Sequence, residues 1–119
     1  MLKKVKNITS FTLLELMIVV IVLTILGTIS IPLYRYAVRN SLIREAHSIM
    51  SLIIQAEKIY RLEEGSYITC SSTSDCNNKL HLEISSNNWD FRVLSSPSWQ
   101  VRAIYIGAGS DVPNQTRNF

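Results

Sequence analysis

Residues 11–34, FTLLELMIVVIVLTILGTISIPLY, decide the fold of this chain. From Leu16 to Tyr34 there is no charged side chain, and most positions are Leu, Ile, Val or Met. Nineteen residues in a helix extend about 28 Å, which is close to the ~30 Å thickness of the hydrocarbon core of a bilayer. The sequence therefore predicts a transmembrane helix, and residues 1–10 form a short basic leader before it.

The helical pattern continues after this stretch but becomes amphipathic. Apolar side chains recur at steps of three and four, which places them on one face of a helix. We therefore predict that the helix continues over residues 35–64, and that Gly65 ends it. The apolar positions are Val38, Leu42, Ala46, Ile49, Ile53, Ala56 and Tyr60, and the polar positions are Arg39, Arg44, Glu45, Glu57, Lys58 and Arg61.

Two residues are expected to disturb the helix within the apolar stretch. Pro32 lacks the backbone N–H that a helix interior needs, and Gly27 has a low helix propensity. We therefore predict a kink or a locally unwound turn at residues 27–32.

Residues 65–119 are predicted to form a loop, a small antiparallel sheet and a polar tail. Ser, Thr, Asn and Asp dominate residues 66–79, as in a loop. Three runs of alternating apolar and polar residues then predict a three-stranded meander whose apolar face covers the helix. We expect the tail after Gly107 to be poorly ordered. The fold class is therefore α+β. The runs are residues 80–84, 89–93 and 99–105.

The chain contains two cysteines, Cys70 and Cys76. An even number of cysteines in an exported chain indicates a disulfide. The rival interpretation is a metal site that adds His47 or His81, but zinc sites usually contain more closely spaced cysteines. We favour the disulfide, on condition that this part of the chain is exported, and we expect no metal and no cofactor.

The net charge of +3 comes from Lys3, Lys4 and Lys6. A basic chain often binds nucleic acid or anionic lipid. Here the excess is confined to the first six residues, and the remaining nine basic residues balance nine acidic ones. We therefore expect no general nucleic-acid binding.

Glu15 is the one charged residue of the apolar stretch. A carboxylate at the bilayer centre costs about 2.5–3.5 kcal/mol on insertion scales, so an acid within a span is a functional candidate. Glu15 lies near the start of the span, however, and a position among the lipid headgroups is the alternative. Composition leaves both interpretations open.

The segment SFTLLE, residues 10–15, follows the lysine-rich leader and precedes the apolar stretch. This arrangement resembles the prepilin-type cleavage and methylation signal of type IV pilins and type II secretion pseudopilins. The resemblance implies cleavage between Ser10 and Phe11 by a membrane-embedded aspartyl prepilin peptidase, which would also convert Phe11 to N-methylphenylalanine. Family members usually carry Gly before the cleavage site. Because Ser10 is also small, processing is expected, but with lower efficiency.

Two further features are similar to this family. Pro32 lies where members commonly carry a helix-kinking proline, and YRLEEGSY, residues 60–67, is similar to their helix end. Nothing after Tyr67 adds to the resemblance, which covers about half of the chain.

The resemblance implies a pilin-like fold and a structural role. The chain would first lie in the bacterial inner membrane as a single-pass protein with its C-terminus outside the cytoplasm, and then join a cell-surface or periplasmic filament. Glu15 of one subunit would pair with the Phe11 amine of a neighbour. The implied partners are other copies of the chain, other pilins, the prepilin peptidase, the assembly platform of the inner membrane and, before assembly, the lipid bilayer.

Several alternatives stay open. A type II secretion pseudopilin is the nearest one, since the helix end favours it slightly whereas the cysteine pair favours a pilus subunit. A domain secreted after cleavage behind Ser30 is less favoured, because the apolar run exceeds the usual 7–15 residues of a signal peptide. A single-span anchor carrying a binding module is also less favoured. We expect no enzyme, because the sequence contains no nucleophile elbow, phosphate-binding glycine loop or His-Glu-x-x-His motif.

Overall fold

The computed structural model describes residues 10–109 and 112–119. The predicted leader therefore lies outside the described residues, except for Ser10. The chain divides into two compact units, Met1–Tyr36 and Ala37–Phe119, which are described in turn.

The described residues form two helices and three strands. The long helix α1 (Leu13–Glu64) contributes residues to both units, and the other elements belong to the second. An N-terminal helix with a three-stranded antiparallel sheet is the predicted α+β class, which is confirmed. The other elements are α2 (Thr73–Leu80), β1 (Trp89–Leu94), β2 (Gln100–Tyr105) and β3 (Gln115–Asn118).

In the first unit, α1 exposes apolar side chains around its whole circumference. From Leu13 to Leu33, every large apolar side chain is exposed. A helix that is hydrophobic all round is suited to a lipid environment or to the interior of an assembly. The helix is long and apolar enough to cross a membrane, which makes it a candidate span.

The helix is not interrupted at Gly27 or Pro32. Local unwinding is therefore not observed, and the predicted kink stays a prediction. Three hydroxyl groups in this region donate hydrogen bonds of 2.7 Å to carbonyl oxygens of the preceding turn. Such bonds satisfy polar groups that lipid cannot satisfy. The donors are Thr24, Thr28 and Ser30.

In the second unit, one face of α1 packs in a core with the sheet. The predicted apolar face is confirmed from Leu42 onward, whereas Val38 is 40% exposed. The prediction for Glu57 is wrong, since this residue is fully buried rather than on the polar face. The core contains Ala46, Met50, Ile53 and Ile54 of α1 together with Trp89, Phe91, Val93, Val101 and Ala103 of the strands.

The helix α1 ends where the sequence predicts. Its last residue is Glu64, and Gly65 follows with φ of +83°. The Gly65 N–H donates to the carbonyl oxygen of Arg61 at 2.9 Å. Because glycine adopts this left-handed conformation without a Cβ clash, Gly65 acts as the C-terminal cap.

The sheet is a meander in the order β1-β2-β3, with both pairs antiparallel. The alternating runs 89–93 and 99–105 are confirmed as β1 and β2. Phe91 lies opposite Ala103 and Val93 opposite Val101, so the buried side chains share one face.

The predicted first strand, residues 80–84, is wrong. Leu80 is the last residue of α2, and His81 has φ of +52°, which breaks any extended run. The expected loop, residues 66–79, likewise contains most of α2. The third strand is instead β3, which lies in the tail expected to be poorly ordered and pairs with β2.

Candidate functional site

The predicted cleavage position lies directly before α1 in the first unit. Ser10 and Phe11 belong to no helix or strand, and the Phe11 side chain is 78% exposed. The peptide bond between them is therefore free of helical hydrogen bonding.

Thr12 and Glu15 form the N-terminal cap of α1. The Glu15 N–H donates to Thr12 Oγ1 at 3.2 Å, and the helix begins one residue after Thr12. The spacing Thr-x-x-Glu is that of a capping box, and an acid in the first turn interacts favourably with the helix dipole. Of the two hydrogen bonds of that motif, the structure shows the one from the Glu15 N–H to Thr12 Oγ1. The sequence signal for this cap is the Thr-x-x-Glu spacing of residues 12–15.

The Glu15 side chain is exposed beside exposed leucines. Removal of the leader would create a cationic amine on Phe11, at the same end of the helix. A carboxylate on an apolar surface can form an ion pair with a cationic group of a second molecule. The structure thus places the three predicted functional residues Ser10, Phe11 and Glu15 within one short segment.

The second unit contains the predicted cysteine pair, held against the outer edge of β1. Cys70 forms an antiparallel bridge with Val93, with N–H to carbonyl distances of 3.2 and 3.0 Å. Cys76 lies in α2, and its Sγ is 3.9 Å from the Phe91 carbonyl oxygen. Both cysteines are buried. These contacts cover the β1 edge, which would otherwise expose unpaired backbone groups.

The two cysteine side chains lie within hydrogen-bonding reach of each other. The hydrogen bond with Cys70 raises the pKa of the Cys76 thiol far above its ordinary value, and burial raises it further. A thiol in such surroundings stays protonated at neutral pH. The structure therefore brings together the two residues of the predicted disulfide, and the disulfide bond itself stays a prediction.

Polar side chains fix α2 beside this pair. Ser72 caps the helix by accepting from the Asp75 N–H at 3.2 Å. Asp75 Oδ2 accepts from the Ser71 N–H at 2.8 Å and from Lys79 Nζ at 2.9 Å, and these bonds, in that order, lower the pKa of Asp75. Asp90 Oδ1 accepts from the Thr73 N–H at 3.0 Å, which attaches the start of α2 to β1.

An open cavity of about 380 Å³ adjoins the cysteine pair. Polar and apolar residues both line it, and Cys70 is the cysteine among them. We call it the Cys70 cavity. Its lining residues are Thr69, Cys70, Ser71, Asp75, Lys79, Val93, Leu94, Ser95 and Ser96.

A buried carboxyl group in the same unit belongs to Glu57. Its Oε2 accepts from the Ile68 N–H at 3.1 Å, while Oε1 has no hydrogen-bond partner among the described residues. Burial raises the pKa of Glu57, and the bond from Ile68 offsets part of this shift. The signal for its burial was present, because the steps from Ala46 to Met50 and Ile53 lead next to residue 57.

The rival metal site is not formed among the described residues. No group of three or more His, Cys, Asp or Glu side chains in residues 10–109 and 112–119 is arranged to hold a metal ion. His47 and His81 are both exposed.

Comparisons with protein-family models, with curated proteins and with solved structures found no match to this chain.

Proposed function

We propose that this chain is the precursor of a type IV pilin-like filament subunit. It is a structural protein, which α1 anchors in a membrane before assembly. The observation that carries the proposal is the exposed apolar surface of α1 in the first unit, which begins directly after the Ser10–Phe11 bond and has one acid, Glu15, in its first turn.

The apolar surface calls for a non-aqueous environment. Burying one Val, Leu, Ile or Met side chain contributes about 1.5–3 kcal/mol, and α1 exposes many of them between Leu13 and Leu33. Lipid and a bundle of identical helices both remove this surface from water. The hydroxyl groups of Thr24, Thr28 and Ser30 bond to the helix itself, so they need no water in either environment.

Processing prepares the subunit for assembly. Cleavage after Ser10 by a prepilin peptidase removes the basic leader, and methylation then modifies the Phe11 amine. The exposed, non-helical backbone at this bond supports the assignment. Because cleavage is at the leader side of the apolar stretch, the mature chain keeps its anchor. A conventional signal-peptide cut after Ser30 would remove it.

The charge pair between Glu15 and the Phe11 amine of a neighbour sets the stagger of the subunits. Two unit charges 4 Å apart attract by about 4 kcal/mol at an effective dielectric constant of about 20. Leaving one of a buried pair without its partner costs about 3–5 kcal/mol. Apolar packing alone tolerates sliding along the helix, whereas this pair forms in one register.

A type II secretion pseudopilin is the second candidate. Residues 60–67 favour it, since their sequence is similar to the helix end of pseudopilins. Both candidates share processing, helix packing, the inner-membrane assembly platform and incorporation beside other pilins. They differ in whether the filament reaches the cell surface or stays in the periplasm.

The test follows the tagged chain through membrane and filament fractions. We expect the chain in carbonate-washed membranes and, in immunogold electron microscopy, along filaments. A Ser10→Trp variant should stay in the membrane uncut and be absent from filaments, whereas the matched Ser10→Gly variant should enter them. A chain found in the soluble fraction, or filaments that contain the uncut Ser10→Trp variant, would contradict the proposal.

A further inference from the structure

We propose that a cavity between α1 and β3 in the second unit binds a phosphate group, which Lys58 of α1 and Arg117 of β3 hold together. We call it the Lys58 cavity. Its volume is about 220 Å³, and Ser51, Gln55 and Asn118 contribute to its lining. The filament function does not require this site, so the inference is independent of that proposal.

The helix α1 presents three polar residues to the Lys58 cavity. Ser51, Gln55 and Lys58 follow one another at steps of four and three, which places them on one face of the helix. The Lys58 side chain is exposed, and its ammonium group carries three N–H donors and no acceptor. This face of α1 therefore offers a positive charge to the cavity.

The strand β3 directs Arg117 to the same cavity. Arg117 lies opposite Val101 of β2, which is fully buried, and directly opposite residues of an antiparallel pair project to the same face of the sheet. The guanidinium group donates a hydrogen bond to Ser51 Oγ. That hydroxyl donates in turn to the His47 carbonyl oxygen at 3.0 Å, so its oxygen is oriented to accept from Arg117. The position of Arg117 is thus fixed before any ligand arrives.

The bond to Ser51 leaves most of the guanidinium group available. Arginine carries five N–H donors in a planar fork, and this bond uses one nitrogen of the fork. A fork of this kind binds two oxygens of a phosphate at once, and lysine adds a compact point charge. A small oxyanion in the Lys58 cavity can therefore contact Arg117 and Lys58 together.

No nearby carboxylate neutralises the two positive charges. The described residues that line the Lys58 cavity include no Asp or Glu, and the ion pairs of the described residues lie elsewhere, in α2 and within β1. Of the side chains three and four residues from Lys58 along α1, the one with a charge is Arg61, which is also basic. The adjacent acid, Glu57, is buried and bonds to Ile68 instead. The cavity is therefore complementary to an anion.

The test uses the full-length chain in dodecyl maltoside micelles, because this detergent carries no phosphate. Inorganic phosphate is titrated at constant ionic strength against sodium chloride, and NMR follows the side-chain amide signal of Gln55. We expect a saturable shift of this signal with phosphate and none with chloride alone. A shift that does not saturate, or an equal shift with chloride, would overturn the proposal.

Three variants locate the binding. Lys58→Gln and Arg117→Gln should each weaken phosphate binding at least about tenfold, because each removes a charge-assisted hydrogen bond. Arg44→Gln is the matched control, since Arg44 is an exposed cation of α1 outside the cavity lining, and its Kd should stay within about twofold of wild type. Lys58→Gln keeps the test decisive if Arg117→Gln disturbs β3. Equal weakening by Lys58→Gln and Arg44→Gln would overturn the proposal.

A second probe distinguishes the source of the phosphate group. Glycerophosphoglycerol is the soluble headgroup of phosphatidylglycerol, and it is titrated in the same way as inorganic phosphate. Tighter binding of inorganic phosphate assigns the site to a free anion, whereas tighter binding of glycerophosphoglycerol assigns it to a lipid headgroup. In both cases the affinity should fall in Lys58→Gln. Binding of neither probe would overturn the proposal.

Discussion

The buried carboxyl group of Glu57 accepts a hydrogen bond of 3.1 Å from the backbone N–H of Ile68. This bond attaches α1 to the segment that follows it, eleven residues later. The other carboxyl oxygen of Glu57 is buried and unpaired in the described part of the chain. The ionised form is therefore poorly solvated, and burial raises the pKa of Glu57 above its ordinary value.

The raised pKa of Glu57 predicts an unusual pH dependence of stability. When the pKa of an acid is higher in the folded state than in the unfolded state, the protein is most stable with that acid protonated. The free energy of unfolding then decreases as the pH rises from the unfolded-state pKa to the folded-state pKa. We expect Glu57→Gln to unfold at a higher temperature than wild type at pH 7.5. The unfolding temperatures of the two proteins should become equal near pH 4, where the wild-type carboxyl is protonated. Tryptophan fluorescence reports the transition through the buried Trp89.

Glu63→Gln is the matched control for this prediction, because Glu63 is an exposed acid on the same helix. It should leave the pH profile close to that of wild type. A Glu57→Gln variant that is less stable than wild type at pH 7.5, with a gap that narrows in acid, would show that the ionised Glu57 stabilises the fold.

Asp90 should show the opposite pH dependence. Burial opposes its ionisation, but hydrogen bonds from Thr73 and Arg92 outweigh that effect and lower the pKa of Asp90. Its contribution is therefore present above the unfolded pKa and is lost as the pH falls through the folded pKa. We expect Asp90→Ala to lose about 1–2 kcal/mol at pH 7, because the Thr73 N–H loses its acceptor. Urea denaturation of the wild type and of Asp90→Ala across pH 3–7 measures the difference in their free energies of unfolding. A difference that grows as the pH falls would contradict the prediction.

Oxidation of Cys70 and Cys76 should stabilise the second unit. Closing so short a loop contributes about 2 kcal/mol in the chain-entropy model. Urea unfolding of the oxidised and reduced forms measures the difference. The double variant Cys70→Ser/Cys76→Ser is the control and should unfold identically with and without reductant. Equal stability of the oxidised and reduced wild-type chain would mean that closure strains the edge contacts of β1.

Two variants tested for filament assembly should distinguish the effect of the Glu15 charge from the effect of the helix cap. Glu15→Gln keeps the Thr-x-x-Glu/Gln cap pattern but removes the charge, and we expect processing with loss of filaments. Thr12→Ala removes the cap acceptor, which costs about 0.5–2 kcal/mol, and we expect filaments to persist. Filament yield in the sheared surface fraction is the readout. Normal filaments from Glu15→Gln would rule out the charge pair.

The sequence predicted those helices and strands whose position depends on the spacing of nearby apolar residues and on glycine. The long helix followed from uninterrupted apolar residues and a three-to-four periodicity, and its end from Gly65. The strands β1 and β2 followed from period-two alternation that matches a half-buried sheet.

The errors lie where tertiary contacts override local patterns. Residues 80–84 alternate like a strand, but the Ser72 cap starts α2 and His81 turns the chain with a positive φ. The strand β3 (QTRN) has no apolar alternation, and its backbone pairing with β2 defines it. The periodicity of α1 leads to residue 57 on the buried face, but its acidic side chain favoured the polar face, and the hydrogen bond from Ile68 is seen only in the structure.

The most direct test of the filament proposal is mass spectrometry of the N-terminus of the chain recovered from membranes or filaments. We predict a mature chain that begins with N-methylated Phe11 and retains the whole apolar helix. A chain that begins at Ile31, or one that keeps its leader while assembled, would contradict the account.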